Sequence, residues 1–279
     1  MTLITTAELI ARAREAGAGV PAFNVITLEH AEAIATGAER AGRPAILQIS
    51  ENAVRFHGGR LEPIAAATVA VARQASVPLS VHLDHVEDED LLHRADGLGI
   101  SSAMFDASHR DYDANVAATR AAVEWAHARG LLLEAELGKV GGKDGAHAPG
   151  VRTDPVEAAA FVGATGVDAL AVAVGSSHAM VERTAALDLD LIRALAAALP
   201  VPLVLHGSSG VPDDQLAAAV RAGMVKVNIG TILNVAWTSA VRSVLEDADV
   251  VDPRTYVRPA RDAVSDVVAR LSSVVGGPA

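Results

Sequence analysis

Polar and apolar positions along this chain alternate between two rhythms. Short, nearly continuous apolar runs of strand length occur at 20–25, 45–50, 78–83, 100–105, 131–136, 168–174, 202–206 and 224–228. Between them lie Ala-rich stretches with helical spacing, at about 29–41, 60–75, 87–97, 113–129, 154–165, 188–199 and 213–222. Strands that alternate with helices predict βαβ units and a parallel sheet. One helix announces its own start: Asp154 can cap, Pro155 suits the first helical position, and Glu157 completes a capping box. Helical pattern resumes at about 232–247 and 259–274, joined by a polar Asp-Pro-Arg segment at 252–254. No internal repeat, low-complexity tract or linker divides the chain. The expectation is a single α/β domain over 1–279, a (β/α)8 TIM barrel with a C-terminal helical extension from about 232.

Chemistry concentrates where the apolar runs stop. The segments 77–85, 101–106, 131–136, 168–178 and 201–206 finish on His85, Asp106, Glu136, His178 and His206. In a parallel barrel all strand C-termini open onto one face, where active sites are built. Imidazoles converging there would make a catalytic, zinc-type site with an open coordination position. Glu134 and Glu136 are spaced i, i+2, so a strand points both to one face, and buried carboxylates there need cations or donors.

Composition narrows the partners. The 279 residues are close to the ~250 typical of such a barrel. Cysteine is absent, so any metal must sit on His, Asp and Glu. The formal net charge of −11 argues against nucleic acid or an anionic membrane surface, but not against a small phosphate held by local amides. No apolar run reaches the ~18 residues of a membrane span, and the N-terminus lacks a signal-peptide pattern, so a cytoplasmic location is expected. Residues 138–153, rich in glycine, form one long connection after the Glu134–Glu136 strand, the kind of loop that often serves as a lid.

Several segments together resemble one family. They are Asn24 in Pro-Ala-Phe-Asn-Val, His-Leu-Asp-His (82–85), Met-Phe-Asp-Ala-Ser (104–108), Glu-Ala-Glu-Leu-Gly (134–138) with Gly141-Gly142, Thr-Asp-Pro (153–155), 167–178, His-Gly-Ser-Ser-Gly (206–210) and Lys-Val-Asn-Ile-Gly-Thr (226–231). In this order they closely resemble the class II, metal-dependent ketose-bisphosphate aldolases, from about residue 3 to about 272.

The resemblance implies that His85, His178 and His206 bind a catalytic Zn2+, with Asp106 and Glu136 as alternative or outer ligands, and a monovalent cation as a further candidate. For Asp106 a helix-cap role before Ala107-Ser108 is a rival. Asp84 matches the catalytic acid/base, placed beside a metal ligand because retro-aldol cleavage removes a hydroxyl proton and leaves negative charge that a cation offsets. Asp144 aligns with the loop acid, usually Glu in the family. Phosphate handling falls to Gly207, Ser208, Ser209, Asn228, Ile229, Gly230 and Thr231, with Asn24, Ser50 and Ala179 also facing substrate. Arg254 matches an arginine that some relatives extend across a dimer to the distal phosphate. Ala179 stands where the family commonly has glycine, and Ala tolerates fewer backbone conformations.

The implied reaction is cleavage of a ketose 1,6-bisphosphate, of fructose or tagatose type, to dihydroxyacetone phosphate and glyceraldehyde 3-phosphate, by a homodimer or homotetramer. The altered lid and Ala179 keep a different ketose phosphate open as substrate, and a non-catalytic barrel subunit is the non-enzymatic alternative. His82 is read as a structural barrel residue, and His30, His57, His93, His109, His127 and His147 as surface or loop residues.

Overall fold

In the computed structural model, which describes residues 2–137, 152–176 and 182–277, the apolar runs become eight parallel strands in a closed barrel. They are β1 (Val20–Asn24), β2 (Ala45–Ser50), β3 (Leu79–Val86), β4 (Ser102–Phe105), β5 (Leu132–Glu136), β6 (Ala169–Ala171), β7 (Leu203–Leu205) and β8 (Met224–Ile229). Each pairs with the next in sequence, and β8 closes on β1 with Val20 opposite Lys226 and Ala22 opposite Asn228. Strand β6 is shorter than its apolar run predicts, ending at Ala171.

The period-2 alternation sorts side chains into two cores. One parity (Phe23, Leu47, Ile49, Val81, Leu83, Phe105, Leu133, Leu170) packs outward against the helices in the main hydrophobic cluster. The other parity fills the barrel, with Val20, Ala22 and Ile46 in one small cluster and Met104, Ala169, Ala171 and Val204 in another. Higher in the barrel the inward positions turn polar. Gln48 lies opposite His82 and Ser50 opposite Asp84, so the register stacks functional groups toward the C-terminal mouth.

The helices are α1 (Thr6–Glu15), α2 (Leu28–Ala41), α3 (Glu51–Phe56), α4 (Leu61–Gln74), α5 (Glu89–His93), α6 (Tyr112–His127), α7 (Pro155–Thr165), α8 (Leu189–Ala198), α9 (Asp213–Ala222), α10 (Thr231–Val244) and α11 (Pro253–Gly276). Asp154 caps α7 as its sequence predicts, accepting from the backbone N–H of Val156 and Glu157 at 2.8 and 3.0 Å.

Two helices are additions to the sequence reading. Helix α1 closes the barrel floor, burying Leu9, Ile10 and Ala13 against Val20, Ala22, Ile46 and Val225. Helix α3 follows β2 without a gap, with Ser50 Oγ capping it by accepting from Ala53 N–H at 3.2 Å. A third difference is α11, which begins at Pro253 rather than near 259 and runs through Pro259. Pro259 removes one helical bond, to the carbonyl of Thr255. Thr255 is exposed, so water can take that carbonyl, while packing of α11 on α2 and α10 holds the helix.

Candidate active site

The geometry of the mouth starts from an irregularity in β3. Its pairing with β4 shifts register between Leu83 and Val86, and within that shift His85 adopts φ 50°, the only positive φ of a non-glycine among the described residues. A bulge of this kind re-aims a side chain. Asp84 keeps the inward parity of His82, while the bulged His85 swings its ring toward β7. A non-glycine in the left-handed region costs on the order of 1 kcal/mol or more and persists where surrounding contacts fix it.

Those contacts are carboxylates. His85 Nδ1 lies 2.9 Å from Asp106 Oδ2 at the end of β4, and Asp106 Oδ1 accepts from Ser108 N–H and Oγ–H at 3.1 and 2.7 Å. Asp106 does not cap a helix, because the next one starts at Tyr112 with Asp111 as its cap; its bonds to Ser108 close a turn that fixes the carboxylate against His85. His85 Nε2 then faces His206 Nδ1 at 3.0 Å, with the two rings 78° apart. Burial works to lower the His85 pKa, but the charges of Asp84, Asp106 and Glu136 with the Asp106 hydrogen bond prevail and raise it to about 10. The pocket thus favours positive charge between these two rings.

His206 is fully buried. Its Nε2 lies 2.9 Å from Glu134 Oε1, and Glu134 Oε2 accepts from Lys226 Nζ at 2.7 Å. Burial opposes ionisation of Glu134, yet Lys226 and His206 hold its pKa down at about 2. An ionised carboxylate only accepts, so Glu134 favours the tautomer with the proton on His206 Nε2, which leaves the Nδ1 lone pair toward His85; Asn228 Nδ2 lies 3.0 Å from the same Nε2. Glu136, one step further up β5, places Oε2 3.9 Å from His206 Nδ1. Glu134 and Glu136 do share the inward face, and each is buried.

Asp84 is 3% exposed. Asn228 Nδ2 donates to its Oδ1 at 3.2 Å, Gln48 Nε2 donates to its Oδ2 at 3.4 Å, and His82 Nε2 lies 3.7 Å away. Burial pushes its pKa up, but His85, His82, Lys226 and His206 outweigh that and keep it well below the usual carboxylate range. Asp84 is accordingly a charged, acceptor-only group beside the facing imidazoles.

The donor set suits a divalent cation. Ligand atoms of Asp84, His85 and His206 lie within 4.8 Å of one another, as do those of His85, Asp106 and Glu136. Two ring nitrogens turned face to face, each oriented from behind by a carboxylate, need a cation or a proton between them. His178, Ala179 and Asp144 lie outside the described residues, as does most of the predicted lid.

A cavity of about 420 Å³ opens over this cluster, lined by loops after β7 and β8, by Asn24 and Ser50, and by α3. Gly207 sits at φ 66°, a left-handed turn suited to glycine, ahead of a short 3-10 turn at Ser208–Gly210. Ser208 Oγ donates to the carbonyl of Asn228, and Ser209 Oγ accepts from Ile232 N–H at 3.2 Å, so the two loops brace each other. Helix α10 starts at Thr231 without a side-chain cap. A Cβ on Gly230 would come within 2.7 Å of Asn24 Nδ2, so a larger residue there would have to push the Asn24 side chain aside. Ser209 takes the Ile232 amide and the Gly230 carbonyl takes that of Leu233, while the α10 N-terminus still turns its positive end toward the cavity, an arrangement that suits an anion.

Of the expected substrate residues, Asn24, Ser50, Gly207, Ser208, Ser209, Asn228, Ile229, Gly230 and Thr231 all line this cavity. Arg254 does not. It is exposed at the start of α11 and paired with Asp252 at 2.6 Å. Gln48, Lys226 and Arg55 are additions that sequence reasoning missed. The signal for the first two was parity, since Gln48 and Lys226 are polar residues two positions before Ser50 and Asn228 in otherwise apolar strands. His30 corrects the surface reading: it is 4% exposed, stacked on Trp237 at 4.6 Å between ring centres.

Comparison with known proteins agrees with the geometry. The family described as "Fructose-bisphosphate aldolase class-II" matches residues 4–277. The fructose-bisphosphate aldolase of Thermus caldophilus is 36% identical over 302 aligned positions, covering 98% of each chain. That of Staphylococcus aureus is 36% identical over 272, covering 96% of this chain and 95% of its own. Among solved structures, the YdjI aldolase from Escherichia coli K12 superimposes with a TM-score of 0.86 at 32% identity, covering 98% of this chain and 97% of that one. The chain belongs to the class II fructose-bisphosphate aldolase family and is an aldolase, a carbon–carbon lyase.

Proposed function

We propose that this aldolase is zinc-dependent and cleaves a ketose 1,6-bisphosphate, of fructose or tagatose type, to dihydroxyacetone phosphate and glyceraldehyde 3-phosphate. The observation that carries the reading is the juxtaposition of ionised Asp84 with the facing His85 and His206 rings at the barrel mouth. His85 and His206, with His178 by family resemblance, would hold the ion, and Asp106 and Glu136 stand beside it. When bound, zinc supplies positive charge against the negative charge that cleavage leaves on the substrate's oxygens.

The chain's own residues do the rest. Asp84 takes the proton of the C4 hydroxyl as the C3–C4 bond breaks. The C4 fragment leaves as glyceraldehyde 3-phosphate, and the bond's electron pair stays on the C3 fragment as an enediolate. Protonation at C3, assigned to Asp144, gives dihydroxyacetone phosphate. The amides and hydroxyls of Gly207–Ser209 and Gly230–Thr231 hold the C1 phosphate. Asn24 and Asn228 fix the polar side of the cavity, Asn228 by donating to Asp84. A homodimer or homotetramer in the cytoplasm, with Arg254 serving a neighbouring subunit, completes the proposal. Among the described residues no helix is long and apolar enough to cross a membrane.

Chelation followed by zinc is the test. Cleavage of fructose and tagatose 1,6-bisphosphate should vanish when the metal is stripped and return with zinc. Full activity in a preparation shown to be metal-free by elemental analysis, or a Schiff base trapped by borohydride, would contradict the reading.

A further inference from the structure

The cavity has a second charged wall that the aldolase chemistry above does not use. Helix α3 leaves β2 at Ser50, the residue registered opposite Asp84 on β3, so it stands next to the proposed base and away from the β7 and β8 loops. Its Glu51 is buried, and Oε2 accepts from the N–H of Glu87 at 2.7 Å and of Asp88 at 3.4 Å. Glu51 Oε1 pairs with Arg55 Nη2, while Arg55 Nη1 donates to Asn52 Oδ1 at 3.2 Å. A buried carboxylate, anchored to the next βα loop, thus holds an arginine whose own side chain is 61% exposed on the cavity wall.

Charge makes the arrangement selective. Among the described residues lining the cavity, Arg55 is the only arginine or lysine, and Glu87 lines the same wall. The opposite wall offers amides and hydroxyls. A substrate with one anionic end would be satisfied there, and the Arg55 wall would hold nothing. A guanidinium presents five donors in a planar fork, and the two contacts above leave donors for a phosphate.

We infer that Arg55 is a specificity-determining residue that binds the phosphate on the aldehyde half of the ketose, so that the enzyme selects bisphosphates over monophosphates. The inference rests on the aldolase reading. It adds the residue, supplied by the same chain, that reads the far end of the substrate. Ser50, opposite Asp84, is the strand end from which α3 departs, so with the C4 hydroxyl at Asp84 we place the C4–C6 half of the sugar along α3. A terminal phosphate there meets the positive fork that Glu51 holds in place.

The test compares kcat/KM for a ketose 1,6-bisphosphate with that for the same ketose 1-phosphate, in the zinc-loaded full-length protein and in Arg55→Ala and Arg55→Lys. In Arg55→Ala the bisphosphate-to-monophosphate ratio should fall about 10- to 100-fold, mainly through KM, the scale of one lost charge-assisted contact. Arg55→Lys should keep part of the preference, because it retains charge but not the fork. A ratio within twofold of wild type in Arg55→Ala, or a wild type with no preference, would overturn the inference. A zinc-loaded wild type that cleaves neither sugar would instead overturn the aldolase reading beneath it.

Discussion

The two ends of the barrel solve the same problem, filling a closed ring of strands, with opposite materials. At the floor, α1 brings Leu9, Ile10 and Ala13 against Val20, Ala22, Ile46 and Val225. The polar atoms there are neutral hydroxyls that satisfy one another: Thr6 Oγ1 donates to Ser80 Oγ at 3.0 Å and accepts from Ser102 Oγ at 2.7 Å. At the mouth the same inward parity carries Asp84, Glu134, Glu136, His206 and Lys226, all buried. Buried hydroxyls with partners are inexpensive, whereas buried charges need exact pairing and are weak sources of stability. The floor therefore keeps the barrel folded, and the mouth gives up stability for charges held ready for chemistry.

The largest stability effect should come from unbalancing the mouth. Lys226→Met leaves Glu134 as a buried, uncompensated carboxylate, and denaturant unfolding should show a loss of about 3–5 kcal/mol. Pairing it with Glu134→Gln should recover most of that loss while activity stays low, since His206 then lacks its orienting carboxylate. If the single substitution were neutral, the claim that Lys226 balances Glu134 would fail.

Cutting into the floor should do the reverse. Leu9→Ala should destabilise by about 2–4 kcal/mol through lost burial and a cavity. Its kcat at a temperature where it remains folded should match wild type. A large drop in kcat would mean that the floor shapes the mouth directly.

The smallest effect lies at a third place, outside the barrel. Burial, opposed only partly by Glu29, lowers the His30 pKa to about 4 from its ordinary 6.5. Between those values the unfolded chain binds a proton that the folded one does not, so stability falls as pH drops from 6.5 toward 4. This residue alone should remove about 2 kcal/mol between pH 7 and pH 5. His30→Gln should flatten the profile by that amount, measured as the difference between wild-type and variant unfolding curves at the two pH values. An unchanged slope would show that His30 does not titrate as its burial dictates.

Much of this was readable in the sequence, for a physical reason. Strands of a parallel barrel are buried on both faces, so they appear as continuous apolar runs. A functional group that ends such a run, as Asp84, His85, Asp106, Glu136 and His206 do, stands out. What escaped were features without that contrast. Helix α3 is six residues long, too short to show a period, and so Arg55 was not placed at the cavity. Lys226 lies within Met-Val-Lys-Val-Asn, where a lone charge in a strand reads as solvent-facing until Glu134 is known to lie across the barrel. The sequence pattern starts α11 near 259, six residues late, because the packing that carries the helix through Pro259 belongs to α2 and α10. The His85 bulge is a matter of register with β4, which no local pattern encodes.

In the proposed reaction Asp84 moves the proton while its neighbour His85 holds the ion. Asp84→Ala, loaded with zinc, tests it most directly through three readings on one sample: kcat, zinc per chain and thermal midpoint. The expected outcome is a kcat lowered by ~10²-fold or more, the range of a lost general base, with zinc content and folding retained. A variant that keeps near-normal kcat would contradict it.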